Sequence, residues 1–348
     1  MATRNGGKAP QPAIRSAETL SMDGPSVEGL SAKDLSAKDL STKARRGRKP
    51  SRPKTVTVPW VRGAADRHRR GKGKPLVMVT AYDYPQARAA DAAGVDLVLV
   101  GDSLAMVVLG HKDTLSVTMD EMLHHTKAVR RGLERALLVA DMPYGSFHLG
   151  AEQAVANALR FVKESGAQAV KIEGARPDVI EALAGAEIPV MAHLGLTPQS
   201  LHRFGGFKVQ GRGDDARRAL LEAARAVEES GAFALVLECI PADLAAEVSA
   251  ELSIPTIGIG AGAGCGGQVL VYHDLLGMED RIAPRFVRRY AQLGQTAREA
   301  LGAYADDVRE GRFPAAEETF AGGSSKAGSP KPTTPSPAQT ETLEALYG

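Results

Sequence analysis

Eight short apolar runs punctuate the middle of the chain: Leu76–Thr80, Leu97–Gly101, Leu137–Asp141, Ala169–Glu173, Pro189–His193, Ala234–Glu238, Thr256–Gly260 and Gln268–Tyr272. Each has strand length and a high content of Val, Leu and Ile. Several of the intervening segments carry helical spacing instead, as in Pro85–Ala93 and Asp214–Ser230. Alternating strands and helices argue a parallel sheet, because parallel neighbours need long crossovers and these cover the sheet faces with helices. Eight such units favour a closed (β/α)8 barrel of TIM type over an open doubly wound sheet. The first βα turn also lacks the G-x-G-x-x-G spacing of a dinucleotide-binding fold. Two segments strain this count: Leu104–Gly110 is apolar enough for another strand, and the stretch from Gly260 to Gln268 is too short for a full helix.

With 348 residues, 43% of them hydrophobic, the chain can bury a barrel-sized core. Composition divides it into an N-terminal extension (1–55), a patterned segment for the barrel (56–320) and a C-terminal tail (321–348). The extension is rich in Ser, Ala, Lys, Pro and Gly and repeats a five-residue unit from Leu30, Leu35 and Leu40; both it and the tail are expected to be disordered. The basic stretch Arg45–Pro50 resembles a minor-groove hook but reads first as a solvated linker. Lys plus Arg number 43 against 41 for Asp plus Glu, so no overall field calls for nucleic acid or an anionic membrane. Cys239 and Cys265 suit neither a disulfide framework nor zinc spacing, which fits a reducing cytoplasm. No apolar run is long enough to span a bilayer, and the N-terminus has no signal-peptide core.

Polar residues recur at the ends of the runs: Thr80 and Asp83, Asp102 and Ser103, Asp141, Lys171 and Glu173, His193, Glu238, then His273 and Asp274. In a barrel the C-terminal strand ends converge on one mouth, so these groups would face one another. Asp102, Asp141 and Glu173 make an oxygen-rich set suited to Mg2+. The alternative is that they are exposed strand-end acids or partners of Lys171. Glu238 closes an apolar run, whose desolvation suits it to general-base work; a structural carboxylate paired with Lys or Arg competes with that role. His193 either binds a substrate carboxylate or bonds a backbone carbonyl. Cys239 reads as a small buried residue rather than a nucleophile. The glycine-rich loop Gly258–Gly267 lacks the Gly-Lys-Ser/Thr ending of a phosphate cradle and reads as a tight strand connection.

Ten motifs occur in order: TAYDY (80–84), VGDSL (100–104), HHTKAVRRG (124–132), ADMPYGSF (140–147), VKIEG (170–174), AHLGLTPQS (192–200), GGFKVQGR (205–212), VLECIP (236–241), IPTIGIGAG (254–262) and GQVLVYHDLLG (267–277). Together they closely resemble the 3-methyl-2-oxobutanoate (ketopantoate) hydroxymethyltransferase family. The resemblance implies a (β/α)8 barrel of the phosphoenolpyruvate mutase-like superfamily, assembled as a homodecamer and acting in pantothenate biosynthesis. It implies one Mg2+ per subunit held by Asp102, Asp141 and Glu173, and an oxoacid gripped by Asp102, Ser103, Asp141 and Lys171. Glu238 would be the proton acceptor and 5,10-methylenetetrahydrofolate the cosubstrate. Gly266 departs from the acid common before the Gly-Gln of the last strand, which puts the loop geometry in question. Two rivals stand beside this reading. The first is a carbon–carbon lyase of the phosphoenolpyruvate mutase and isocitrate lyase superfamily, whose Lys-Cys-Gly-His loop does not occur here; the second is a non-catalytic DNA-associated scaffold resting on residues 45–50.

Overall fold

Every one of the eight runs forms a strand. The computed structural model describes residues 54–69, 73–279, 281 and 284–320. The strands are β1 (Leu76–Thr80), β2 (Leu97–Val100), β3 (Leu137–Asp141), β4 (Ala169–Glu173), β5 (Val190–Gly195), β6 (Ala234–Glu238), β7 (Thr256–Ile259) and β8 (Gly267–Leu270). They close into a barrel in chain order, all pairs parallel, and β1 meets β8 from Leu76↔Gly267 to Val79↔Leu270. The apolar segment after β2 forms a short helix, Leu104–Val107, so it does not add a strand. Tyr272, expected at the end of β8, instead opens the helix Tyr272–Leu275. The connection between β7 and β8 carries no helix, as its length requires. Gly266 does not disturb it: its carbonyl accepts from the Leu76 amide at 2.9 Å, and an added Cβ would make only ordinary contacts.

The strand period of two sorts each run into an inner and an outer set. Leu97 and Leu99, Leu137 and Val139, Ala169, Met191, Ala234 and Val236 pack together in one buried cluster inside the barrel. Their alternates, among them Val98, Leu138, Val170, Ala192 and Leu235, join the helices in a second cluster. Val56, Val61 and Ala64 belong to the inner cluster, so the N-terminal helices Val58–Arg62 and Ala64–Arg69 plug the barrel floor. Continuing the inner alternation toward the C-terminal ends gives Asp141, Lys171, Glu173, His193 and Glu238. The floor is therefore apolar and the mouth polar on the same face of the same strands.

Outside the barrel, Met119–Gly132 starts with a reciprocal capping box between Thr118 and Glu121 and packs against Tyr84–Ala93. The last long helix, Leu293–Arg309, buries none of its residues and exposes Leu301 at 66%, Tyr304 at 54% and Val308 at 46%. Among the described residues no helix is long and apolar enough to cross a membrane. The expected disorder of 1–55 and 321–348, and the basic stretch at 45–50, lie outside the described residues but for Lys54 and Thr55.

Candidate active site

Five charged side chains from four neighbouring strands line the mouth, and all but Glu238 are buried. Asp141 ends β3, Lys171 and Glu173 stand two apart on β4, His193 is on β5 and Glu238 ends β6. Lys171 Nζ lies 2.8 Å from Asp141 Oδ1 and 3.7 Å from Glu173 Oε1. His193 follows, with Nδ1 3.5 Å from Glu173 Oε1 and 3.3 Å from Lys171 Nζ, and Nε2 3.2 Å from Glu238 Oε2. The result is a chain of alternating sign: carboxylate, ammonium, carboxylate, imidazole, carboxylate.

Asp102 enters from the loop after β2. Its backbone N–H donates to Asp141 Oδ2 at 3.2 Å, and its Oδ2 accepts from Gln199 Nε2 at 2.9 Å. The Gln199 amide nitrogen also donates to the Met142 carbonyl at 3.0 Å, and its backbone N–H to Glu173 Oε2 at 2.9 Å. Gln199 thus braces two of the acids from a short 3-10 turn after β5, and its own side-chain oxygen is buried with no hydrogen-bond partner among the described residues. Ser103 Oγ sits 2.8 Å from the Tyr82 hydroxyl, and Tyr82 is buried at the end of β1. Gly101 serves by its size: a Cβ there would stand 2.9 Å from Ser103 Oγ.

Burial shapes the charges. Asp102 is held well above the usual carboxylate range by burial and then by the charges of Asp141 and Glu173. Burial likewise raises Asp141, against the pull of Lys171. Glu173 goes down, because contacts with His193 and Lys171 outweigh its own desolvation. Burial would lower Lys171, but Asp141, Glu173 and Asp102 raise it instead, so it stays charged. The acids are therefore not exposed strand ends, and two of them do pair with Lys171. Pairing still leaves four carboxylates, Asp102, Asp141, Glu173 and Glu238, against the two cations Lys171 and His193.

Buried, crowded hard-oxygen donors whose ionised forms are disfavoured at Asp102 and Asp141 fit a divalent cation, which stabilises those forms. No three His, Cys, Asp or Glu side chains among the described residues stand grouped to ligate an ion by themselves. Mg2+ does not require that, since it is commonly bound through one or two carboxylates with water and substrate oxygens completing the shell. Asp102 and Asp141, joined through the Asp102 amide, supply such a pair.

The remaining expected residues divide. His193 bonds no backbone carbonyl among the described residues; it spans two carboxylates. Glu238 keeps 16% of its side chain exposed, so it stands at the rim rather than desolvated in the interior. Cys239, whose thiol is pushed up to about 12 by burial and by Glu238, is a poor thiolate source. Thr80 and Asp83 serve structure, accepting from the Tyr272 amide at 2.9 Å and, as a helix cap, from the Gln86 amide at 2.8 Å. His273 is buried beside Tyr82, with ring centroids 5.5 Å apart, while burial pushes Asp274 up to about 6. Sequence reasoning missed Gln199 and Tyr82. Both lie inside the motifs given above, but neither closes a strand run, where a polar residue stands out against the apolar pattern.

A closed parallel barrel whose C-terminal mouth gathers buried carboxylates around a lysine defines an enzyme of the (β/α)8 class. A ketopantoate hydroxymethyltransferase family profile matches residues 64–316, and the chain belongs to that family. Its relatives include proteins named 3-methyl-2-oxobutanoate hydroxymethyltransferase. The one from Nitratidesulfovibrio vulgaris is 58% identical over 255 residues, covering 72% of this chain and 83% of the relative. Those from Enterococcus faecalis and Syntrophus aciditrophicus are 55% identical (72% of this chain, 91% of the relative) and 50% identical (78% and 98%). Among solved structures, a phosphoenolpyruvate phosphomutase from Streptomyces platensis matches at 18% identity with a TM-score of 0.47, covering 75% of this chain and 92% of that one.

Proposed function

We propose that this enzyme moves a one-carbon unit from 5,10-methylenetetrahydrofolate to 3-methyl-2-oxobutanoate, giving 2-dehydropantoate for pantothenate and coenzyme A biosynthesis in the cytoplasm. The name shared by relatives at 50 to 58% identity supports the reaction. The observation that carries the mechanism is the run from Asp141 through Lys171, Glu173 and His193 to Glu238, with a buried lysine toward one end and a carboxylate at the rim at the other.

Asp102 and Asp141 would hold one Mg2+ per subunit, with Glu173, engaged by the Gln199 amide and Lys171, backing the pair rather than completing a three-carboxylate group. Bound there, the ion would supply a Lewis acid that stabilises negative charge on the oxoacid oxygens. Lys171 offsets the substrate carboxylate, its own charge secured by Asp141. Ser103, oriented by the Tyr82 hydroxyl, donates to the oxoacid alongside them. Glu238 accepts the C3 proton at Oε, and the electron pair left on C3 forms the new bond to the methylene carbon as the carrier nitrogen leaves. The exposed apolar side chains of Leu293–Arg309 support assembly into a homo-oligomer, a decamer in our reading.

The test is product formation from the two substrates with Mg2+ and with EDTA. Metal-dependent 2-dehydropantoate is expected, with Asp102→Ala and Asp141→Ala weakening oxoacid binding at least tenfold. No product from the wild type, or wild-type binding by both variants, contradicts the reading.

A further inference from the structure

A proton acceptor at a rim needs its carboxylate aimed, and the main chain alone does not aim it. The Glu238 backbone is fixed: its carbonyl accepts from the Leu196 amide at 2.8 Å, and strand pairing aligns Gly195 with Glu238. Gly195, at a φ of 93°, is required at that point because any Cβ would collide with the Glu238 carbonyl oxygen. Beyond Cα, however, the side chain has three rotatable bonds and an exposed flank. Its one charged contact among the described residues is an ion pair with His193 Nε2 at 3.2 Å, a close approach without hydrogen-bond alignment.

His193 is well suited to hold it. It is 2% exposed, on the inner face of β5 directly above Met191, so its ring has little room to turn. Register pairs it with Glu173, whose Oε1 lies 3.5 Å from Nδ1, and Lys171 Nζ stands 3.3 Å away on the same side. Glu173 is in turn braced by the Gln199 amide at 2.9 Å. One face of the imidazole is therefore anchored to a braced carboxylate, and the other meets the Glu238 carboxylate.

We propose that His193 is the positioning residue of Glu238, fixing the base carboxylate over the mouth and linking it through Glu173 to the lysine that grips the oxoacid. This inference rests on Glu238 being the proton acceptor of the proposed reaction. His193 acts through Glu238 and touches no reacting atom.

Two variants separate positioning from general support. His193→Asn keeps a polar atom near the Nδ1 position and loses the reach to Glu238; His193→Gln restores that reach. The readout is exchange of the C3 proton of 3-methyl-2-oxobutanoate with solvent deuterium, alongside kcat and KM, in the Mg2+-loaded protein. His193→Asn is expected to slow exchange and kcat about 100-fold, the scale of a slightly misplaced catalytic group, while KM for the oxoacid stays within about twofold. His193→Gln is expected to recover about tenfold of that loss. In a Glu238→Gln background, His193→Asn is expected to add nothing, because the partner it positions is already disabled. Wild-type exchange in a folded His193→Asn, or a full multiplicative loss in the double variant, overturns the inference while leaving the base assignment intact. Should His193→Asn fail to fold, the single and double His193→Gln variants decide by the same comparison. Wild-type exchange in Glu238→Gln alone overturns the base assignment, and this inference with it.

Discussion

His193 holds the sharpest electrostatic conflict in the mouth. Burial and Lys171 push its pKa down, yet contacts with Glu173 and Glu238 outweigh both and lift it to about 9. The folded protein therefore binds a proton that the unfolded chain releases near pH 6.5. The associated stabilisation is complete below pH 6.5 and is lost as pH rises to 9, a change on the order of 3 kcal/mol. Chemical denaturation in EDTA at pH 6.5 and 9.5 should show that loss in the wild type and a much smaller one in His193→Gln. Equal losses in the two proteins would contradict it. At this scale the sequence was legible where a charged residue ended an apolar run: Asp102, Asp141, Lys171, Glu173, His193 and Glu238 all reach one mouth. It was not legible for Gln199, which meets Asp102 across 97 residues of chain. No local pattern announces a partner so distant, and a polar residue in a Thr-Pro-Gln-Ser turn looks like solvent-facing loop.

Elements were easier to read than their ends. Hydrophobic period placed all eight strands, since a buried parallel strand must be a nearly continuous apolar run. The segment that strained the count, Leu104–Val107, is apolar enough for a strand but helical, and it follows directly on Asp102 and Ser103. Close helix contacts were equally silent in the sequence. Gly132, the last residue of Met119–Gly132, lies where a Cβ would stand 2.7 Å from the Tyr84 carbonyl oxygen and 2.8 Å from Ala87 Cβ. Gly132→Ala should gain at most about 1 kcal/mol of helix propensity and lose roughly 1–3 kcal/mol to overpacking between the two helices. A melting temperature a few degrees lower is expected; a rise would show that the pair can separate without cost.

For the whole molecule, barrel closure turns residues scattered between Asp102 and Glu238 into one site, and it does so with an apolar floor and a polar mouth on the same inner face. Strand count pointed to closure, but the register between β8 and β1 that seals it could not be read from either segment alone. The outer surface carries a separate demand. Leu301 and Tyr304 project from a helix that buries nothing, so in the proposed decamer they should be covered by another copy. Light scattering of Leu301→Asp/Tyr304→Asp is expected to give a smaller particle than the wild type, and an unchanged mass would place the interface elsewhere. Proton removal from C3 of the oxoacid with Glu238 as acceptor, as proposed for this mouth, is read by solvent deuterium exchange into 3-methyl-2-oxobutanoate without the folate cosubstrate. Mg2+-dependent exchange is expected for the wild type and, in Glu238→Gln, a loss of at least about 1,000-fold, on the order expected for removing a general base. Exchange at the wild-type rate in that variant would contradict it.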